Sequence, residues 1–471
     1  MTVALIFLPL AAALLVGMLP LQRRATEGLA LLAAMAELAL GLVALIRFNI
    51  HGGLQFDSDR IISHNLIGTA DVHFSVGMDG LSLFMVLLTA LGMMSAISTA
   101  MWAGRENPRF YFALLLVLEG ALVLLFTAQD LVLFYVGWEV MIIPLYILMG
   151  VWGGPGRKAA TIQFVVFTLI GSLTMLVAIA TLGVQGHSFE LTTLSAQGRD
   201  SLWLFLAFSL AFCVKAPMWP LHGWLPAAYR ESTPEVTALL SGVISKAGAY
   251  GLLRFAIPLF PATAASNWRW MFLGLALVGL LYGSLVAFRQ PTARGVVSFS
   301  SLGQMNLIII GIFALNSDGR TGAIFQMVNH GVVSLAAFLL VGLVELRTGT
   351  DSFARLKGLA NSRPIFSTVL LMAALWTLAV PGSSAFVSEL YVLLGAFREN
   401  AWLGATAACA IVLAAMYALR WLAAIAYEED GEAVPKETPD LRLGELGIAV
   451  PLLLILIVMT AWPLGVMERL G

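Results

Sequence analysis

Apolar stretches of about 20 residues, the length a helix needs to cross a bilayer, follow one another along nearly the whole of this chain. Fourteen can be marked, at 2–19, 27–47, 79–103, 110–128, 130–150, 159–184, 202–221, 233–256, 268–288, 293–314, 319–345, 365–397, 401–426 and 445–467. In hydrocarbon every backbone N–H and C=O must be satisfied within the segment, so such runs become helices. The chain is therefore read as an all-α integral membrane protein with about 14 transmembrane helices. Composition agrees: 60% of residues are hydrophobic and 11% charged, against roughly 45–50% and 25% in soluble domains. The N-terminus lacks a basic region or small-residue cleavage site and is expected to be the first membrane helix. No connection is large enough for a soluble domain. The longest, about 48–78, is polar, with His51, Asp57, Asp59, Arg60 and Asp71; the acidic stretch 427–444 is expected to be a solvated linker.

Basic residues set an orientation. Placing Arg23 and Arg24 in the cytoplasm and alternating thereafter puts 16 Lys and Arg inside, Lys436 among them, and 8 outside. That excess matches the positive-inside rule, with both termini on the outer, periplasmic side of a bacterial cytoplasmic membrane.

The remaining two basic residues, Lys215 and Lys246, lie within apolar segments, although the chain has only five lysines against 21 arginines. A charge at the bilayer centre costs roughly 2.5–3.5 kcal/mol, which makes such a residue a functional candidate by default. Arginine keeps its proton in proteins, whereas lysine can release one when desolvated. Two buried lysines therefore point to proton handling.

Two helices are interrupted. The seventh runs into Pro217, Pro220 and Pro226 beside Lys215, and the twelfth carries Pro381-Gly382 seven residues before Glu389. Proline removes a backbone donor and breaks a helix. Broken helices at matching positions of two halves are the sequence signature of an inverted-repeat transporter core. The expected organisation is helices 1–3 over 1–103, a first repeat of helices 4–8 over 110–256, a second of helices 9–13 over 268–426, and helix 14 over 445–471.

Other titratable residues join the lysines. Glu139, mid-helix, is read as an ion-pair partner of Lys215, acting either as a switch or as a permanent structural bridge. Small neighbours of Lys246 (Ser241, Gly242, Ser245, Gly248) leave room for water or close helix packing. His330 is the only histidine inside an apolar helix and serves either as a proton relay or as a hydrogen-bonded core residue. Glu389 is a terminal proton acceptor or a carboxylate facing a polar vestibule. Glu119 either assists Glu139 or packs. Glu37 is assigned to packing or to a partner interface, and His222, at the seventh-helix break, to gating or structure. Asp79 reads first as a helix cap, and Cys213 and Cys409 as small buried hydrophobes.

The stretch KAPMWPLHGWLPAAYRESTPEVTALLSGVISKAGAYGLLRF, together with FTAQDLVLFYVGWEVMIIPLYILMG, GRKAATIQFVVFTLIGSL and GMDGLSLF, resembles the antiporter-like membrane subunits of respiratory complex I. The resemblance places Glu139, Lys215, Lys246, His330 and Glu389 on the family's proton-channel positions. It implies a redox-driven proton pump module in which protons from the cytoplasm reach Lys215 and Lys246, pass His330 and leave near Glu389. Electron transfer would occur in other subunits, so no cofactor, metal, NADH or quinone site is expected here. The implied partners are antiporter-like paralogues and lipids. Two of the three paralogues place lysine in the broken twelfth helix; Glu389 is the pattern of the third. The paralogue with a long lateral helix has a large C-terminal extension, whereas this chain ends four residues after its last apolar segment. One position departs from the pattern: Tyr229 stands where many relatives carry histidine.

Other classes fit less well. A net charge of −1 gives no electrostatic footprint for nucleic acid. A haem carrier needs two axial ligands, and only His330 lies inside a span. A solute transporter would need a midplane substrate site, whereas these buried groups are all proton-titratable. A subunit of a multi-subunit sodium/proton antiporter or a membrane-bound hydrogenase complex shares the lysine–glutamate core and stays open as an alternative.

Overall fold

The computed structural model describes residues 1–67, 70–361, 363–427, 431–434 and 439–469, with side chains undescribed at 65–67. Lys436 of the inside set thus lies outside the described residues. Among the described residues, eleven helices are long and apolar enough to cross a membrane, and three more apolar helices are shorter: Thr2–Met18, Leu202–Lys215 and Pro364–Thr377. The fourteen expected segments are all helical, but three fall short of an unbroken span. For two of them the cause is proline. Leu202–Lys215 stops before Pro217, and Pro364–Thr377 is separated by Pro381-Gly382 from Ser384–Glu399. Gly382 takes φ +96°, a conformation that side chains resist.

The interior is formed by the helices Gly80–Ala103, Pro234–Leu259, Ala293–Phe313 and Ser317–Thr348, the last buried over its whole apolar window. Arg157–Gly186, Trp268–Arg289 and Ala401–Ala426 lie at the periphery, where Ile162, Ile170, Val177, Leu285 and Val412 point outward as lipid-facing residues would. Cys213 is buried, but Cys409 is exposed on this periphery.

Ion pairs sort the connections into two sets. One set joins Arg105 to Glu235, Arg294 to Glu345 and Arg347 to Glu445. The other joins Asp79 to Arg254, Arg269 to Glu399 and Arg398 to Asp318. Each pair links connections that the alternating reading put on the same face. Glu235 and Arg254 stand near opposite ends of Pro234–Leu259, about 28 Å apart at 1.5 Å per residue. Asp79 caps its helix by accepting from the Ser82 N–H at 2.9 Å, as expected, and also binds Arg254 at 2.6 Å.

The polar connection 48–78 is not plain loop. Gln55–Ser58 pairs antiparallel with Val76–Met78, and Ile61–Ile67 with Ala70–His73. His73 ties this cap down: its N–H donates to Asp130 at 3.2 Å and its Nδ1 lies 3.1 Å from Asp59 and 3.8 Å from Glu190. Nor is 427–444 simply solvated. Val434 is buried, the Gly431 and Ala433 N–H groups donate to Lys357 and Arg355 carbonyls, and the Asp440 carboxylate accepts from the Ile365 and Phe366 N–H groups. Residues 428–430 and 435–438 of that stretch lie outside the described residues.

Candidate proton-transfer site

The site begins at the first break. Lys215 is the last residue of its helix, and the freed backbone beyond it finds partners elsewhere in the protein. Asn306 Oδ1 accepts from the Trp219 N–H at 3.3 Å, its Nδ2 donates to the Pro217 carbonyl at 3.4 Å, and the Trp224 indole donates to the Val214 carbonyl at 2.9 Å. This is how a membrane-depth break is made tolerable. Gly248 is required here: a Cβ on it would stand 2.5 Å from the Ala216 nitrogen, so the Lys246 helix lies directly against the break.

Lys215 itself is fully buried, and its Nζ has no hydrogen-bond partner. It sits over the rings of Phe164 and Trp138, at 5.1 and 5.6 Å from their centroids, in cation–π geometry. The expected Glu139–Lys215 ion pair is not formed. Glu139 acts on Lys215 only at longer range, and one of its oxygens is buried without a partner. Local structure supplies the reason. The helix Leu131–Val140 is interrupted at Met141 before continuing as Ile142–Trp152. Pro144 has no N–H to offer the Val140 carbonyl, so the chain is loosened beside Glu139, and the Trp138 ring takes the place over the lysine.

Lys246 is bonded. Its helix passes through a π-helical turn at Leu240–Ile244, a feature that often marks functional positions. The Ser241 carbonyl in that turn accepts from Lys246 Nζ at 2.6 Å and from Ser245 Oγ at 2.8 Å. Nζ also lies 2.9 Å from His330 Nδ1, while His330 Nε2 meets Ser334 Oγ at 3.0 Å. Two glycines make that approach possible: Cβ atoms on Gly242 and Gly331 would stand 3.1 and 2.9 Å from each other's carbonyl oxygens. The small residues around Lys246 thus serve helix packing.

Beyond His330, a polar line runs to the second break. Glu389 accepts from Gln304 at 2.8 Å, Gln304 from Gln326 at 2.8 Å, and Gln326 from Ser388 at 2.5 Å; Asn329 donates to Ser388 at 3.1 Å. His330, Ser334, Gln304, Gln326 and Glu389 line one cavity of about 20 Å³, space for a water. Glu389 also lines a second, smaller one with Ser284. Sequence reasoning missed Gln304, Gln326, Asn329, Ser388 and Asn306. The available signal was an amide at each of four positions inside apolar helices.

Two further candidates stand apart. His222 packs its ring against Tyr282, 5.3 Å between centroids, and makes no bond to either lysine. Glu119 faces Glu37, not Glu139. Tyr229 is buried beside the Ser241 and Ser301 hydroxyls, close to the π turn.

Fold and site together define a polytopic membrane protein whose titratable groups are aligned inside the helix bundle. The chain belongs to the NADH:quinone oxidoreductase/Mrp antiporter transmembrane family, whose pattern it matches over residues 128–414. It is 34% identical to NADH-quinone oxidoreductase subunit M of Rhodobacter capsulatus, over 99% of this chain and 94% of that one. It is 36% identical to NAD(P)H-quinone oxidoreductase chain 4 1 of Synechococcus elongatus, over 95% and 86%. Among solved structures it is similar to a chain of respiratory complex I from Thermus thermophilus, with TM-score 0.90 and 32% identity over 100% of this chain and 98% of that one. A chain of the Mrp complex from Dietzia shares the fold at TM-score 0.88 and 21% identity, over 100% and 96%. Similarity to subunit M agrees with the paralogue to which Glu389 pointed.

Proposed function

We propose that this chain is the proton-translocating membrane subunit of an NADH:quinone oxidoreductase, a translocase part that carries out no redox chemistry itself. The observation that carries the reading is the 2.9 Å contact between Lys246 and His330, fully inside the protein, with a polar line from His330 to Glu389. A proton on Lys246 can pass to His330 Nδ1 in one step, and Nε2 faces the cavity side through Ser334. A neutral imidazole accepts at one nitrogen and releases from the other. In this reading Glu139 modulates Lys215 from a distance, Lys215 passes protons on to Lys246, whose helix adjoins its own at Gly248, and Glu389 is the terminal acceptor.

Residues 110–256 and 268–426 act as paired half-channels, with 1–103 and 445–471 as additions. Both termini lie on the periplasmic side, antiporter-like paralogues and lipids flank the chain, and NADH and quinone bind elsewhere in the complex. The sodium/proton antiporter alternative shares the fold. Near full-length similarity at 34% to subunit M, against 21% to the Mrp chain, favours the oxidoreductase.

The test is Lys246→Met in membranes with the assembled complex verified by native gel. Loss of proton pumping, alone or together with electron transfer, is expected. Wild-type protons per electron in that variant would remove Lys246 from the path.

A further inference from the structure

Glu37 and Glu119 are taken up by none of the preceding chemistry, and their surroundings are unusual. Glu37 is the fifteenth of 25 residues in Arg23–Arg47, and Glu119 the twelfth of 20 in Pro108–Thr127. Each is therefore at least about 12 Å from either end of its helix at 1.5 Å per residue. Both side chains are fully buried, and all four carboxyl oxygens lack a hydrogen-bond partner. The two helices pack on each other, and the carboxyl groups are close enough to interact electrostatically. No ion pair involving either carboxylate occurs among the described residues.

The first helix packs against both of these helices. It packs along Pro108–Thr127, and a Cβ on Gly120 would come within 2.6 Å of Leu10 and 3.2 Å of the Ile6 carbonyl. Pro9 in that helix offers no N–H to the Leu5 carbonyl. The Leu5 carbonyl therefore lacks its usual helical donor.

Two adjacent carboxylates cannot both be ionised in such a place. An isolated buried charge costs several kcal/mol even after relaxation, and a second like charge beside it adds to that cost. With no cation supplied by the protein, the pair must be neutralised by something that can leave. We propose that Glu37 and Glu119 form a proton-holding carboxyl pair, a second proton site in the N-terminal bundle, separate from the line through Lys246, His330 and Glu389. Uptake and release need no other reactant: one carboxylate becomes a carboxylic acid when it takes a proton and returns to the carboxylate when it gives that proton up. Pro108–Thr127 also packs against Leu131–Val140, the helix of Glu139, so the pair sits one helix away from the Lys215 site. It exists independently of the proposed function, whose test concerns Lys246.

The experiment is infrared difference spectroscopy on the assembled complex at neutral pH, with carbodiimide labelling read by peptide mass spectrometry, for wild type, Glu37→Gln, Glu119→Gln and the double variant. The expected result is a protonated-carboxyl carbonyl band that shifts in each single variant and vanishes in the double, with wild-type labelling on one or both residues. If sodium ions abolish both signals, the pair is a metal-cation site and the proton assignment is wrong. A wild type with neither band nor labelling, both carboxylates being ionised, overturns the proposal. Should Glu119→Gln fail to assemble, the Glu37→Gln spectrum decides alone, because an unchanged band there denies the pairing.

Discussion

Gly242→Ala is the sharpest probe of the site, because it leaves every titratable group in place. The new Cβ would stand 2.6 Å from Leu335 Cγ, 2.8 Å from Leu335 Cδ2 and 3.1 Å from the Gly331 carbonyl oxygen. Favourable carbon–carbon contacts lie at about 3.5–4.0 Å. Leu335 can turn aside, but the carbonyl is backbone, so the helices Pro234–Leu259 and Ser317–Thr348 must part by some tenths of an ångström up to about 1 Å. Lys246 and His330 start 2.9 Å apart, and a hydrogen bond is lost beyond about 3.5 Å. Overpacking of this kind costs about 1–3 kcal/mol of stability, which a large helix bundle survives. A misplacement near 1 Å can cost on the order of 10²-fold in rate. Proton pumping by the assembled complex should fall steeply, measured as acidification per NADH oxidised in sealed vesicles. Gly274→Ala is the control, since its Cβ would meet nothing within 4 Å. Full pumping in Gly242→Ala, with the separation confirmed structurally, would refute direct transfer between Lys246 and His330.

Other outcomes follow from the same geometry. Glu389→Gln keeps the shape and the Gln304 contact (2.8 Å) but removes the terminal acceptor. Pumping should drop with assembly intact, and normal pumping would reassign Glu389 to structure. Trp138→Leu removes the ring 5.6 Å from Lys215 Nζ; if the aromatic pair holds the lysine, the variant should slow turnover at least several-fold, as NADH oxidation rates will reveal. Arg105→Ala strands Glu235, which is fully buried and bonded to Arg105 at 2.7 and 2.8 Å and to Tyr111 at 2.5 Å. Breaking such a pair costs about 3–5 kcal/mol, so the thermal midpoint of the isolated subunit or complex should fall, and an unchanged midpoint would count against a structural role.

Much of the site was legible because membrane residence makes polar residues conspicuous. Lys215, Lys246, His330 and Glu389 stand out in apolar runs, and their cost in hydrocarbon selects them without any coordinates. Other features were hidden by their ordinariness. Gln304, Gln326 and Asn329 are uncharged, so nothing in one sequence distinguishes a relay amide from a packing one. The helix break at Met141 is set by a single proline five residues after Glu139, and it leaves that residue without the direct ion pair to Lys215 that the sequence suggested.

The sequence by itself determined the solvent, the approximate sequence of membrane helices, the two proline breaks and which side chains carry ionisable protons. Those depend on hydropathy, helix length and backbone chemistry, all local properties. Only the tertiary structure decided partners. Lys246 meets His330, 84 residues away in sequence, because Gly242 and Gly331 let two helices touch. Lys215 meets aromatic rings instead of Glu139, and Glu119 turns to Glu37. Partner choice depends on helix rotation and approach, which π turns, glycine contacts and shared amides set to within an ångström, and no hydrophobic pattern encodes distances that small.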